Sequence, residues 1–151
     1  MTKYLKLTGQ YGTGKFSIVD DEDYKKLLEF PCHADKRGYV YIVIQGKNVL
    51  LHRYILGIAG TGFPMVDHKD TNRLNNQKSN LRKCTNSQNQ ANTKSWGGRE
   101  TKGVYFFRNK WVARIMVRGV RVFLGRFENK EEALGAYKQA ANKHFGEFAY
   151  E

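Results

Sequence analysis

Two neighbouring side chains, Asp67 and His68, stand at the end of the apolar stretch Phe63-Pro64-Met65-Val66. In an extended strand adjacent residues point to opposite sides, so the acid and the imidazole face different directions from one place on the backbone. Further on, Thr85 followed three residues later by Gln88 is a capping-box pattern. It starts a helix near Asn86 and puts Asn89 in its first turn or just beyond. Hydrolysis of a phosphodiester near neutral pH needs a base to activate water, a cation to offset developing charge, and a means of positioning the phosphate. Asp67, His68 and Asn89 supply side chains of those chemical types.

Several short elements must position them. The run at 39–44, YVYIVI, then the turn QGKN and the extended NVLLH form a β-hairpin. Before it, KFSIVD gives a strand and DEDYKKLLEF a short helix with acids at its positive end. LHRYILGI, residues 51–58, is a short helix closed by the breaker-rich GTGFP. Seven Asn fall between 67 and 92, most of them suited to solvated turns. Residues 93–103, TKSWGGRETKG, have no hydrophobic period and read as a linker.

Beyond the linker, residues 104–108, 111–118 and 120–127 are three short strands, the last two joined by a turn at Arg118-Gly119. Leu134, Tyr137, Ala141 and Phe145 then recur at helical spacing up to Gly146, which ends that helix. The period of two in the strands places Trp111, Ala113, Ile115 and Val117 with Val120, Val122 and Leu124 on the face against the helix. Arg114, Met116, Arg118, Arg121 and Phe123 form the other face. Residues 101–127 carry seven Lys or Arg and no Asp or Glu, so that second face is a basic, partly aromatic surface of a shape that enters a major groove. The fold class is α+β: an N-terminal β-hairpin region leading into the Asp-His core, then a three-stranded antiparallel sheet on one C-terminal helix. The domains are 1–92, a linker at 93–103, and 104–151.

The totals agree with a polyanion as partner: 26 Lys plus Arg against 14 Asp plus Glu, a net charge of +12. No stretch approaches the ~20 apolar residues of a membrane span, and the start lacks the apolar core of a signal peptide, which gives a cytoplasmic expectation. Cys32 and Cys84 are too few and too far apart for a four-Cys zinc site or a disulfide framework, and read as buried thiols.

DHKDTNRLNNQKSNL followed by CTNSQNQAN resembles the HNH nucleases with a ββα-metal core, particularly the homing endonucleases of phages. The resemblance implies that Asp67 and Asn89 bind one divalent ion, that His68 is the general base, and that Asn80 braces the intervening loop. Cys84 lacks the C-x-x-C partners that carry structural zinc in other HNH proteins. An oxygen and nitrogen donor set with open water positions suits Mg²⁺ or Mn²⁺ rather than zinc. Arg53, Arg73, Arg82 and Lys83 are expected to clamp phosphates, and His52 to be a structural residue at the start of a short helix. His33 and His144 have less claim to a role.

The segment from Lys102 to Phe148 is similar to the plant ethylene-response-factor DNA-binding domain, of three antiparallel strands and one helix. Its binding positions fall on Lys102, Tyr105, Arg114, Met116, Arg121 and Phe123, of which only Arg121 keeps that family's residue. Both resemblances together span about residue 15 to the end. They imply a nicking, homing-type endonuclease acting on double-stranded DNA as a monomer or weak dimer, in the host cytoplasm if phage-encoded. The alternatives are a DNA-binding regulator with an inert core, and an RNA-directed protein, which a sheet matched to B-form DNA disfavours.

Overall fold

The computed structural model describes residues 1–60, 62–93 and 102–149. Its chain forms two compact units, Met1–Cys84 and Thr85–Glu151, and is α+β as expected from the sequence. Most of the expected linker, residues 94–101, lies outside the described residues.

In the first unit, β1 (Thr2–Lys6) and β2 (Phe16–Asp20) pair antiparallel from Thr2↔Asp20 to Lys6↔Phe16. Leu5, Ser17 and Val19 point inward while Lys6 and Phe16 point out, the alternation of a half-buried ribbon. Helix α1 (Asp21–Leu27) comes directly after, with Asp21, Glu22 and Asp23 in its first turn and Lys25 and Lys26 in its last, matched to the helix dipole. A second sheet joins β3 (Cys32–Ala34), β4 (Val40–Ile44) and β5 (Lys47–Leu50) in that order, all antiparallel. Its β4–β5 turn is Gln45-Gly46, both at positive φ (48° and 73°), the mirror-image turn whose twist suits a two-residue hairpin.

Helix α2 (Leu51–Ile55) starts directly from β5 and inserts Leu51 into the core. That core gathers Leu5, Leu7, Val19, Leu27, Cys32, Ala34, Val40, Ile42 and Leu51 from both sheets, the two helices and the β1–β2 connection. Each large member contributes roughly 1.5–3 kcal/mol by leaving water. The unit closes with the antiparallel pair β6 (Met65–His68) and β7 (Leu81–Cys84), in the register Asp67↔Arg82 and His68↔Leu81. The connection between them docks on β2: Ile18 N donates to the Leu74 carbonyl (2.7 Å), and Asn76 N to the Ile18 carbonyl (2.8 Å).

The second unit opens with α3 (Asn86–Ala91), capped at Thr85, which accepts from Gln88 N while the Gln88 side chain accepts from Thr85 N. This is the capping box read from the sequence. Strands β8 (Val104–Phe107), β9 (Lys110–Val117) and β10 (Val120–Phe127) form an antiparallel sheet with β9 central, and α4 (Lys130–Phe145) packs on it until Gly146. The β9–β10 turn is Arg118-Gly119, at φ 49° and 81°. Asn129 caps α4 by accepting from Glu132 N (3.0 Å).

The two-residue period is interrupted in both long strands: in β9 by Val112, buried next to Ala113 although it faces the other way, and in β10 towards its end. The register shifts between Phe123 and Gly125, and past this bulge Phe127 rather than Arg126 joins Trp111, Ala113 and Leu124 against α4. Gly125 is fitted to the bulge by φ 143° and by the Phe127 ring, 2.9 Å from where a Cβ would stand. Val120, expected on the helix face, is 64% exposed because it begins β10 just past the turn. The domain boundary expected after Asn92 compares with a unit boundary ahead of α3. Side-chain and backbone donors from the sheet region tie α3 to its own unit: Lys102 Nζ caps the carbonyls of Gln90, Ala91 (3.0 Å) and Thr93 (3.2 Å), and Arg118 N donates to Ser87 Oγ (3.4 Å).

Candidate active site

Strand β6 carries Asp67 and His68 side by side, and both are about 95% buried. Burying a carboxylate in the protein requires a partner. Asp67 has one in its cross-strand neighbour Arg82, whose Nε and Nη2 reach Oδ2 at 2.9 and 2.8 Å. Arg82, expected to clamp phosphate, is thus turned inward to Asp67, with its side chain only 10% exposed.

His68 lies in a polar pocket of its own. Its Nε2 is 3.2 Å from Asn76 Oδ1, and its ring meets the His52 ring edge to face at 5.2 Å between centroids. Tyr39 stands 5.7 Å from His52 and 6.5 Å from His68. Burial lowers the His68 pKa, against the opposing pull of the Asn76 hydrogen bond and the charges of Asp70 and Asp67. Burial, helped by the neighbouring His68 and Arg53, pushes His52 down to about 3. Both imidazoles are therefore neutral at physiological pH. A neutral imidazole is the form that accepts a proton.

The loop that links β6 to β7 is braced by Asn80. Its Oδ1 accepts from Asp70 N (3.1 Å), its Nδ2 donates to Asp70 Oδ1 (2.9 Å) and to the Asn75 carbonyl (2.8 Å), and its own carbonyl accepts from Lys69 N (2.9 Å). Asn75 Nδ2 donates to Asp70 Oδ2 (2.8 Å), and Asn72 Oδ1 accepts from Leu74 N (3.1 Å). The abundance of Asn in this stretch therefore has a physical use, since short amides satisfy the backbone of a tight loop.

Sequence reasoning missed Asn76, which is 99% buried and touches His68. Nothing in its type separated it from the six other Asn nearby, because its distinction is a contact with Ser17, far away in the chain. Arg53 is a correction of another kind. Rather than facing phosphate, it is buried and donates to the carbonyls of Gly60 (2.6 Å), Gly62 (3.0 Å), Pro64 (2.8 Å) and Ala59 (3.2 Å), holding the approach to β6. Arg73 remains exposed, its guanidinium 4.5 Å over the Tyr39 ring. His33 stacks on Tyr41 rather than joining this cluster, and His144 sits beside Phe145 near the end of α4 in the second unit.

Asn89 lies in the second unit, half-buried on α3, its N–H bonded to the Thr85 carbonyl (3.0 Å). On the sheet of that unit, Arg121 pairs across with Met116 and Phe123 with Arg114. The Arg114 guanidinium lies 5.7 Å over Tyr105 and 5.9 Å over Phe123. Met116 and Phe123 are 45% and 56% exposed, so this face is basic, aromatic and open to solvent. Lys102, just ahead of β8, borders the same groove as Tyr105, Arg114, Met116 and Arg121, while its ammonium donates to the carbonyls of Gln90, Ala91 and Thr93. Arg118, expected on this face, occupies the turn.

Among the described residues no three His, Cys, Asp or Glu side chains gather as a metal site. Cys32 and Cys84 are buried free thiols, each pushed up to about 11 by burial. Asp67, ion-paired with Arg82, is a hard oxygen donor of the kind that fits a hard divalent cation rather than a thiolate-bound one. Among the described residues, no helix is long and apolar enough to cross a membrane.

The family model described as HNH endonuclease matches residues 64–91, the stretch that holds β6, β7 and α3. An uncharacterized HNH endonuclease of Acanthamoeba polyphaga mimivirus is 32% identical over 151 residues, spanning 97% of this chain and 79% of that protein. No solved structure matches. The chain belongs to the HNH endonuclease family. It is an endonuclease, and the buried Asp-His pair sits inside the segment that defines the family.

Proposed function

We propose that the protein is a divalent-metal-dependent endonuclease that nicks double-stranded DNA, of the homing type, with His68 as general base and Asp67 and Asn89 as the metal ligands. The observation that carries this reading is the state of His68: buried beside an ion-paired carboxylate, held by a hydrogen bond, and neutral at physiological pH. A divalent ion, Mg²⁺ or Mn²⁺, would supply charge neutralisation at the scissile phosphate and at the departing 3′ oxygen. The residues do the rest. His68 takes the proton from the attacking water, Asn80 keeps the loop behind β6 in shape, and Arg73, exposed over Tyr39, contacts a neighbouring phosphate.

The three-stranded sheet, similar to the ethylene-response-factor domain, would hold the duplex through Arg114 and Arg121, with Tyr105, Met116 and Phe123 contacting bases or sugars. Arg118 at the hairpin tip would add a phosphate contact. The open basic face of β9 and β10 supports this assignment.

The test is incubation of supercoiled plasmid, and separately of long RNA, with purified protein and Mg²⁺ or Mn²⁺, beside a chelated control and His68→Ala. Relaxed plasmid that disappears on chelation and in His68→Ala is the expected result. Cleavage of RNA with intact plasmid would redirect the substrate, and cleavage undiminished in His68→Ala would remove the base from the scheme.

A further inference from the structure

A chain of hydrogen bonds runs from β2 to His68, and the chemistry of its members sets its direction. Asn76 Nδ2 lies 2.9 Å from Ser17 Oγ and 3.2 Å from the Arg73 carbonyl. A carbonyl only accepts, so the atom of Asn76 that faces it must be the NH₂. The other atom, 3.2 Å from His68 Nε2, is then the amide oxygen, which also only accepts. His68 Nε2 must therefore carry hydrogen. Ser17 is consistent with this: its hydroxyl donates to the Leu74 carbonyl (3.1 Å) and is left to accept from Asn76.

We infer that Asn76 is a positioning residue for strand cleavage: its amide oxygen, oriented by Arg73 and Ser17, keeps the imidazole proton on Nε2 of His68 and makes Nδ1 the nitrogen that takes a proton from water. The inference rests on the reading of His68 as general base. It assigns Asn76 more than an architectural part, because the loop does not need this side chain to dock. Backbone bonds between Ile18 and Leu74 and between Asn76 and Ile18 already fix it to β2. Asp20 adds two more, accepting from Gln77 Nε2 (3.0 Å) and Lys78 N (2.8 Å). Asn76 and Ser17 are 99% and fully buried, so water does not compete for these bonds. The edge of the ring is further confined by His52 and Tyr39. An imidazole in the other tautomer would set Nε2 as acceptor against an acceptor oxygen, a contact that repels.

The decisive measurement is the tautomer itself, read from nitrogen chemical shifts of the full-length protein labelled in histidine, well above the ordinary imidazole pKa, with the His68 signals assigned from His68→Ala. Wild type should show a protonated Nε2 and an unprotonated Nδ1. Asn76→Ala should give mixed tautomers and lower kcat about 10- to 100-fold with KM within about 2-fold, since a base presented on the wrong nitrogen loses most of its advantage. The wild-type tautomer decides the matter even if Asn76→Ala folds poorly. A protonated Nδ1 in wild type, or an unchanged tautomer and kcat in Asn76→Ala, would each overturn the inference. Failure of the underlying reading is separately visible: His68→Ala would then cleave at the wild-type rate whatever the tautomer.

Discussion

The two units handle charge in opposite ways. In the first, Asp67, Arg82, Arg53, His52 and His68 are drawn inside and each is matched to a defined partner. In the second, cationic groups of β9 and β10 remain on an open face, where Arg114 lies over half-buried Tyr105 and exposed Phe123. Burial with a partner fixes a group to within a fraction of an ångström, which suits bond breaking, whereas exposure leaves long side chains free to track a flexible polyanion. The contrast teaches where to look for each kind of loss: rate and stability from the buried cluster of the first unit, affinity and salt dependence from the open sheet of the second.

The strongest challenge to that division is His68→Ala. Cleavage should fall by roughly 10²- to 10⁴-fold while DNA affinity changes by less than about 2-fold, measured by single-turnover cleavage beside filter binding. A comparable fall in affinity would show that the buried cluster also holds DNA. Next in size is Arg53→Ala, which strands four carbonyls that now share one guanidinium. It should cost about 3 kcal/mol in urea unfolding, and a loss under about 0.5 kcal/mol would mean the loop before β6 has other support.

Acid should act on the same unit. His52 has its folded pKa depressed to about 3 from an ordinary 6.5. Below 6.5 the unfolded chain takes up a proton that the folded chain refuses, so stability present above 6.5 is lost as pH falls toward 3. Between pH 6.5 and about 5 the loss should be on the order of 2 kcal/mol, and His52→Gln should flatten the slope of unfolding free energy against pH. An identical slope in wild type and variant would place the burden elsewhere. The smallest effect belongs to the sheet: Arg121→Ala should weaken DNA binding by about 1 kcal/mol and reduce the salt slope by about 0.9. Its unfolding free energy should stay within about 0.5 kcal/mol. A change in kcat in place of the salt slope would erase the contrast.

Much of this organisation was legible in the residues themselves. The capping box at Thr85 and Gln88, the Arg118-Gly119 turn and the Gly146 helix end each depend on neighbours in the chain, and each stands where local chemistry puts it. The Asp67-His68 pair was legible because the whole stretch around it resembles the HNH nucleases, and the family match covers that stretch. What was not legible depends on distant parts of the chain. Whether an arginine faces water or a carboxylate is decided by cross-strand register, so Arg82 read as a phosphate clamp until its pairing opposite Asp67 was known. Arg53 was misjudged for a similar reason, since its carbonyl partners come from an irregular loop. The bulge at Phe123 to Gly125 broke a period that the sequence alone continued.

The docking of the 74–78 segment on β2 also has a bearing on how the chain acquires its shape. Ser17 and Asn76 are separated by 59 positions, and the bonds from Gln77 and Lys78 to Asp20 by 57 and 58. Contacts of such sequence separation are closed late, because chain entropy must be given up before they form. On the ribosome the amino-terminal ribbon would therefore emerge long before its counterpart and wait for it. A fragment cut down to the family-matching stretch 64–91 would lack that ribbon altogether, leaving Asn76 without the hydroxyl it bonds.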